Sequence, residues 1–299
     1  MSFTTRLAAS NNLRFQTDSW QPKPRNRMFI LGMGFVGQFF SQELKTQGWS
    51  VAGTCTSIMK KKKLMDSGFD IYHFDANEPE TNVLDVLKHH THLVVSVPPL
   101  VGIGDPMLHH EKLLRSILKG GNLRWLGYLS STSVYGNYGG EWVDEDCPAN
   151  PTGELGKSRL AAEEGWLTLG HNLGLSVHVL RLGGIYGPGR SAVDTIIKQD
   201  ALSKSQRSRV HKQYTSRVHV VDICQALKAS ICASNSTPRE VYNIVDDDPA
   251  PREEVFAYAR SLIEKKWPGH LKQLPEQDKC SATVKEEDVL DEKRVPMLI

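Results

Sequence analysis

The residues best suited to chemistry come early in the chain, where Gly32, Gly34 and Gly37 form G-x-G-x-x-G directly after the apolar run Met28–Leu31. Such a turn needs one glycine to bend tightly, a second to let a diphosphate approach the backbone, and a third to let strand and helix pack closely. Phe35, Val36 and Gly37 then open a helix whose first N–H groups have no partner inside it and point toward an anion. The chemistry is capture of a dinucleotide pyrophosphate. A plain glycine-rich strand-to-helix turn is the alternative.

The segment about 20 residues further on selects between the two nicotinamide cofactors, because a carboxylate there bonds the ribose 2′-hydroxyl of NAD. The stretch TCTS at 54–57 holds no acid. Thr56 and Ser57 offer hydroxyls to a 2′-phosphate and Lys60 begins a run of lysines that ends at Lys63, so NADP is expected ahead of NAD. The same lysines also fit a solvated helix face. Asp75 is placed to accept from an adenine amine, and Ser96, Val97 and Pro98 to line the cofactor cleft; both follow from their positions after strands.

Other polar clusters carry less. His89, His90, His92, His109 and His110 have no spacing that joins them to cysteines or carboxylates as a compact ligand set, so no metal is expected. The 5 cysteines are scattered, without a C-x-x-C pair, which suits a reducing compartment. With 36 Lys+Arg against 34 Asp+Glu the net charge is +2, which argues against a bulk nucleic-acid binder. No apolar run approaches the roughly 18 residues that cross a bilayer, so no membrane partner is expected.

The elements that must position these residues alternate short apolar runs with helical patterns, the signature of an α/β, doubly wound parallel sheet. Strands are expected at Met28–Leu31, Ser50–Thr54, Asp70–Phe74, His92–Val97, Trp125–Leu129 and Ser176–Arg181. Helices are expected around Val36–Thr46, Ile58–Asp66, Asn82–His89, Met107–Leu118 and Leu155–Leu169. After residue 182 the regularity breaks: Gly183–Gly189 reads as a loop leading into a small C-terminal substrate lobe over 183–299, with a helix at Asp222–Ala233, a strand at Val241–Val245 and a helix at Pro251–Lys265. Residues 1–27 carry five basic residues against the single acid Asp18. They read as an organelle transit-like extension, plastid included, or as a solvated tail on a cytoplasmic protein.

Six ordered motifs carry a family resemblance: LGMGFVG at 31–37, YLSSTSVYG at 128–136, VDEDCPANP at 143–151, LRLGGIYGPGR at 180–190, SRVHVVDICQAL at 216–227 and VYNIVDDDP at 241–249. Together they resemble the extended and atypical short-chain dehydrogenase/reductase superfamily, in particular its NAD-dependent epimerase/dehydratase-like members with a Rossmann domain, here 28–182. The glycine spacing departs from the G-x-x-G-x-x-G usual in the extended group.

The resemblance implies that Ser131 polarises a substrate hydroxyl or carbonyl. It also implies a tyrosine that exchanges the proton and a lysine four residues on. Here TGELGKSRLAAEE aligns Leu155 with the tyrosine and Arg159 with the lysine, and an alignment on Lys157 puts Gly153 at the tyrosine. Both registers lose the phenol. Arg159 retains a cation for the nicotinamide ribose but cannot shuttle protons. Tyr135 or Tyr138 is a candidate replacement acid, and the alternative for Tyr135 is packing at the cleft floor. Among the cations at 198–217, Arg217 is the first choice for a substrate phosphate.

These implications give an NADP-binding oxidoreductase or epimerase-like protein acting on a small polar, phosphate-bearing or nucleotide-linked substrate, with a homodimer left open. The rivals are a non-catalytic NADP-binding regulator and a plastid RNA-binding relative, the latter supported only by the basic stretch 198–219. Because the chain ends KRVPMLI at 293–299, where relatives continue into a closing helix, the substrate lobe is expected to be cut short.

Overall fold

A computed structural model describes residues 26–78, 81–198, 214–233 and 239–273. Among the described residues the strands run in chain order as β1 (Arg27–Leu31), β2 (Ser50–Cys55), β3 (Asp70–His73), β4 (His92–Val95), β5 (Trp125–Ser131), β6 (Ser176–Leu182), β7 (Gly184–Tyr186), β8 (Arg217–His219) and β9 (Val241–Ile244). The helices are α1 (Phe35–Thr46), α2 (Ile58–Asp66), α3 (Thr81–Leu87), α4 (Glu111–Leu118), α5 (Glu154–Asn172), α6 (Ala192–Lys198), α7 (Val220–Ala233), α8 (Arg252–Lys266) and α9 (His270–Gln273). Most of the 1–27 tail, the cations from Lys204 to Lys212 and the closing segment 293–299 lie outside the described residues.

Seven strands form one parallel sheet in the order β3-β2-β1-β4-β5-β6-β9. Successive side chains of a strand face opposite ways, so a strand that is apolar at every position must be covered on both faces. On one face Phe29, Leu31, Leu93, Val95 and Leu126 meet α3, α4 and α5 through Leu84, Leu114 and Trp166. On the other, Met28, Ile30, Val94 and Leu180 meet α1 and α7 through Phe40, Leu44, Ile223 and Leu227. The chain reverses its direction of winding between β1 and β4, and the crevice at the carboxyl ends of these two strands is where such sheets bind ligands.

Two expectations change. The strand Val241–Ile244, assigned from sequence to the smaller lobe, is the edge strand of the main sheet beside β6, with Leu180 opposite Tyr242. Gly184–Tyr186, read as loop, pairs in parallel with Arg217–His219 as a separate two-stranded sheet. That partner is distant in sequence, so no local pattern marks the strand.

Near the amino-terminal ends of the sheet strands a row of rings crosses the fold. Centroid separations are 4.8 Å for Trp49–His92, 6.0 Å for His92–Trp125, 6.1 Å for Trp125–His178 and 5.9 Å for His178–Tyr242. Burial holds His92 down at about 4 and also lowers His90 and His178. These imidazoles pack as neutral rings. Among the described residues no group of His, Cys, Asp and Glu could hold a metal ion, and no helix is long and apolar enough to cross a membrane.

Candidate dinucleotide site

The turn after β1 is fixed by its neighbour strand: Gly32 N donates to Thr54 Oγ1 at 2.9 Å and Met33 N donates to Thr54 O at 2.6 Å. Gly32 has φ +94°, a conformation that side chains rarely adopt, and a Cβ there would press on Ser96 and Val97 at 3.3 Å. Gly37 lies against Gly32 O and Ile30, where a Cβ would approach to 3.1 and 3.2 Å. Gly34 differs from both. It precedes α1 with no side-chain cap, its backbone suits any residue, and a Cβ would find only Gly32 O at 3.9 Å.

Nothing in the protein therefore requires glycine at 34. The space over it is open, and the first N–H groups of α1, from Phe35 to Gly37, have no acceptor within the helix. A diphosphate fits that combination of free donors, positive dipole end and cleared approach. Val36 is buried in the core beneath, whereas the Phe35 ring is partly exposed at the mouth, 5.0 Å from that of Phe39.

At the end of β2, Thr56 is exposed and its carbonyl oxygen pairs with His73 Nε2 at 3.1 Å. Ser57 caps α2, its hydroxyl oxygen accepting from Lys60 N at 3.3 Å. The cap occupies the serine oxygen and leaves its proton available. The Lys60 side chain is exposed at this helix start. Asp75, also exposed, accepts from Asn77 N at 2.9 Å and Nδ2 at 2.8 Å, and these two bonds hold its carboxyl below the usual range. Ser96 N donates to Leu31 O at 2.8 Å, which extends the β1–β4 ladder to the cleft, with Val97 against Gly32 and Pro98 exposed.

On the other side of the switch point, β5 delivers Ser131, which caps the 3-10 turn Thr132–Tyr135 by accepting from Ser133 N at 3.2 Å. Arg159 projects from α5 toward the same sheet face as Tyr128 and Glu163. Burial lowers its pKa, and its guanidinium has neither hydrogen bond nor ion pair among the described residues. Leu155, one turn earlier, is 41% exposed. An aliphatic side chain thus occupies the position aligned with the family tyrosine.

Tyr135 is not in the cleft. Its ring is fully enclosed, the Arg181 guanidinium lies 4.8 Å over it, and its hydroxyl donates to Asn243 Oδ1 at 2.8 Å. Burial raises its pKa. The geometry favours the packing alternative, with Tyr135 joining the 3-10 turn to β9. The Tyr138 hydroxyl donates to Pro148 O at 2.5 Å and is likewise committed.

Sequence reasoning missed the polar core behind these residues. Glu163, 1% exposed, accepts from Ser130 Oγ and from both Nε and Nη2 of Arg181. The available signals were an acid on the inward stripe of α5, two turns after Leu155, and a cation inside the apolar run VLRL of β6. Tyr128, on the same face of β5, is fully buried with no partner for its hydroxyl among the described residues, and burial raises its pKa.

Arg217 is held by acids of the β9 side. Its N donates to Asp246 Oδ1 at 3.0 Å, its Nε lies 3.2 Å from Asp246 Oδ2, and its Nη2 bonds Asp248 O. Nη1 is buried with no hydrogen-bond partner among the described residues. The guanidinium is oriented by these contacts rather than free, and it lies apart from the glycine turn on the two-stranded sheet.

Similarity to known proteins agrees with this geometry. Over 90% of its length the chain matches a functionally unknown conserved protein from Silicibacter pomeroyi DSS, covering 88% of that chain at 31% identity and a TM-score of 0.66. It is 36% identical over 172 residues to Protein YeeZ of Escherichia coli K12, a match that takes in 55% of this chain and 60% of that protein. The UDP-glucuronic acid 4-epimerase of Bacillus cereus, solved with UDP-glucuronic acid and NAD, shares the fold at 18% identity and a TM-score of 0.61, over 79% of this chain and 82% of that one. The model of the NAD dependent epimerase/dehydratase family matches residues 28–245, and the chain belongs to that family.

Proposed function

We propose that the protein binds a nicotinamide dinucleotide at Gly32–Gly37, NADP in preference to NAD, and acts as an oxidoreductase or epimerase-like enzyme on a small polar, nucleotide-linked substrate. The observation that carries the reading is Gly34: an unobstructed glycine at an uncapped helix start, where the absent side chain leaves the approach open to a diphosphate. NADP preference is supported by the absence of an acid at 54–57 and by the exposed Thr56 and Lys60 beside the Ser57 cap. The substrate class is supported by family membership.

The bound nicotinamide would supply the hydride acceptor or donor. Ser131 has its oxygen engaged by Ser133 N, which leaves its proton available to a substrate oxygen. Arg159, cationic at all working pH values and unpaired among the described residues, orients a ribose hydroxyl as a fixed donor. Leu155, partly exposed, exchanges no proton, so the proton that a tyrosine would handle passes to solvent or to a substrate group.

A second reading, a dinucleotide-binding regulator without turnover, is favoured by one observation: no free phenol faces the cleft at Leu155, and Tyr135 is enclosed. The experiment that separates the two is titration with NADPH and NADH, followed by a panel of nucleotide-linked sugars monitored at the nicotinamide absorbance. Turnover with any of them supports the enzyme. Tight dinucleotide binding with neither a change in nicotinamide absorbance nor any altered sugar recovered across the panel supports the regulator.

A further inference from the structure

The loop from Tyr186 to Arg190 packs against Phe35, the first residue of α1. Gly187 and Arg190 exchange two backbone hydrogen bonds of 2.9 Å, which closes the loop on itself. Its approach is tight: a Cβ at Gly187 would come within 2.7 Å of Val220 Cγ1 and 3.3 Å of the Phe35 ring. Lys198 Nζ donates to Gly189 O at 3.0 Å and fixes the far side. The loop is thereby seated on the first residue of α1.

Arg190 projects from this seat, with its guanidinium 5.3 Å from the centroid of Phe35. That ring is its sole recorded side-chain partner among the described residues. The acid nearest in the chain, Asp194, is turned away, accepting from Ser191 Oγ at 2.5 Å. Arg190 is exposed, and no carboxylate pairs with it among the described residues. An exposed cation held over the first residue of α1 without a counter-ion among the described residues, beside helix N–H groups that favour an anion, is an arrangement completed by a phosphate.

We propose that Arg190 is a further binding residue, contacting the pyrophosphate of the dinucleotide from the side opposite the glycine turn. The inference rests on the dinucleotide reading above and adds a contact from the 184–190 segment to a site otherwise built from β1 and α1. A pyrophosphate is common to NADPH and NADH, so the contribution of Arg190 is the same for both and absent for adenosine, which has no phosphate.

The test is equilibrium titration of NADPH, NADH and adenosine into the wild-type chain, Arg190→Ala and Arg190→Lys, with thermal midpoints recorded in parallel. Arg190→Ala is expected to keep its midpoint and to weaken both dinucleotides by the same factor, roughly ten- to a hundredfold for a charged hydrogen bond, while adenosine binding is unchanged. Arg190→Lys recovers part of the loss, since a point charge replaces the planar fork. Unchanged affinities in Arg190→Ala, a loss confined to NADPH, or an equal loss for adenosine would each overturn the assignment. Failure of the wild-type chain to bind either dinucleotide would instead remove the reading beneath it.

Discussion

Glu163 and Arg181 form a buried two-point ion pair, with Nη2 at 2.7 Å and Nε at 3.1 Å from the same carboxylate oxygen and side chains only 2% and 8% exposed. The pair joins α5 to β6. Through Ser130 it also reaches the end of β5, and through the Tyr135 ring and Asn243 it reaches β9. The residues flanking the proposed reaction space are therefore set by one charged cluster behind the cleft.

Removing one partner of such a pair leaves the other charge buried and uncompensated. Glu163→Gln is expected to lower stability by about 3 to 5 kcal/mol in denaturant unfolding, and Glu163→Gln combined with Arg181→Met to cost less than the sum of the two single changes. Additive losses would show that the two side chains do not act as a pair.

Tyr135→Phe tests the structural assignment of that phenol. Loss of its bond to Asn243 should cost about 1 to 2 kcal/mol and leave NADPH affinity and any turnover within a factor of about two. A roughly 100-fold fall in turnover at unchanged stability is what loss of a general acid would produce, and it would return Tyr135 to the chemistry.

The buried imidazoles give a pH dependence whose sign follows from their burial. His92 falls from 6.5 to about 4 in the folded chain, so between those values the unfolded chain binds more protons. The stability this group contributes is complete above about pH 6.5 and is lost as pH falls toward 4, up to about 3 kcal/mol in all, with His90 and His178 acting in the same direction. Urea midpoints measured between pH 7 and 4.5 should drop. His92→Phe should make that decline shallower, and an equally steep decline in the variant would contradict the assignment.

Much of the sheet was legible because its strands are apolar at consecutive positions and separated by helical patterns, as Met28–Leu31 and Trp125–Leu129 show. The glycine turn was legible for the same local reason: Gly32, Gly34 and Gly37 follow a strand and open a helix. What was hidden depends on contacts between distant segments. Gly184–Tyr186 becomes a strand only through Arg217–His219, and Val241–Ile244 joins the main sheet only through β6. Tyr135 looked available because its motif ends a strand beside the cleft, yet Arg181 and Asn243, remote in sequence, enclose it. Arg190 gave no signal at all until the loop was seen seated on Phe35.

A variant aimed at cofactor choice follows from the β2 end. Lys60→Glu should weaken NADPH by about tenfold, the scale of one lost charged contact, and leave NADH within about twofold. Equal effects on both cofactors would argue that Lys60 serves only the solvated face of α2, which is its alternative role.

The most direct measurement of the central claim is NADPH titration of the wild-type chain and Gly34→Val, followed by nicotinamide fluorescence with thermal midpoints alongside. Position 34 has a backbone any residue can adopt and a Cβ there meets no protein atom closer than 3.9 Å, so the variant should fold as the wild type does. The added side chain instead fills the approach to the helix start. The account predicts saturable binding to the wild type and none to Gly34→Val at an unchanged midpoint; a variant that binds NADPH as tightly as the wild type, or a wild-type chain that binds no dinucleotide, would contradict it.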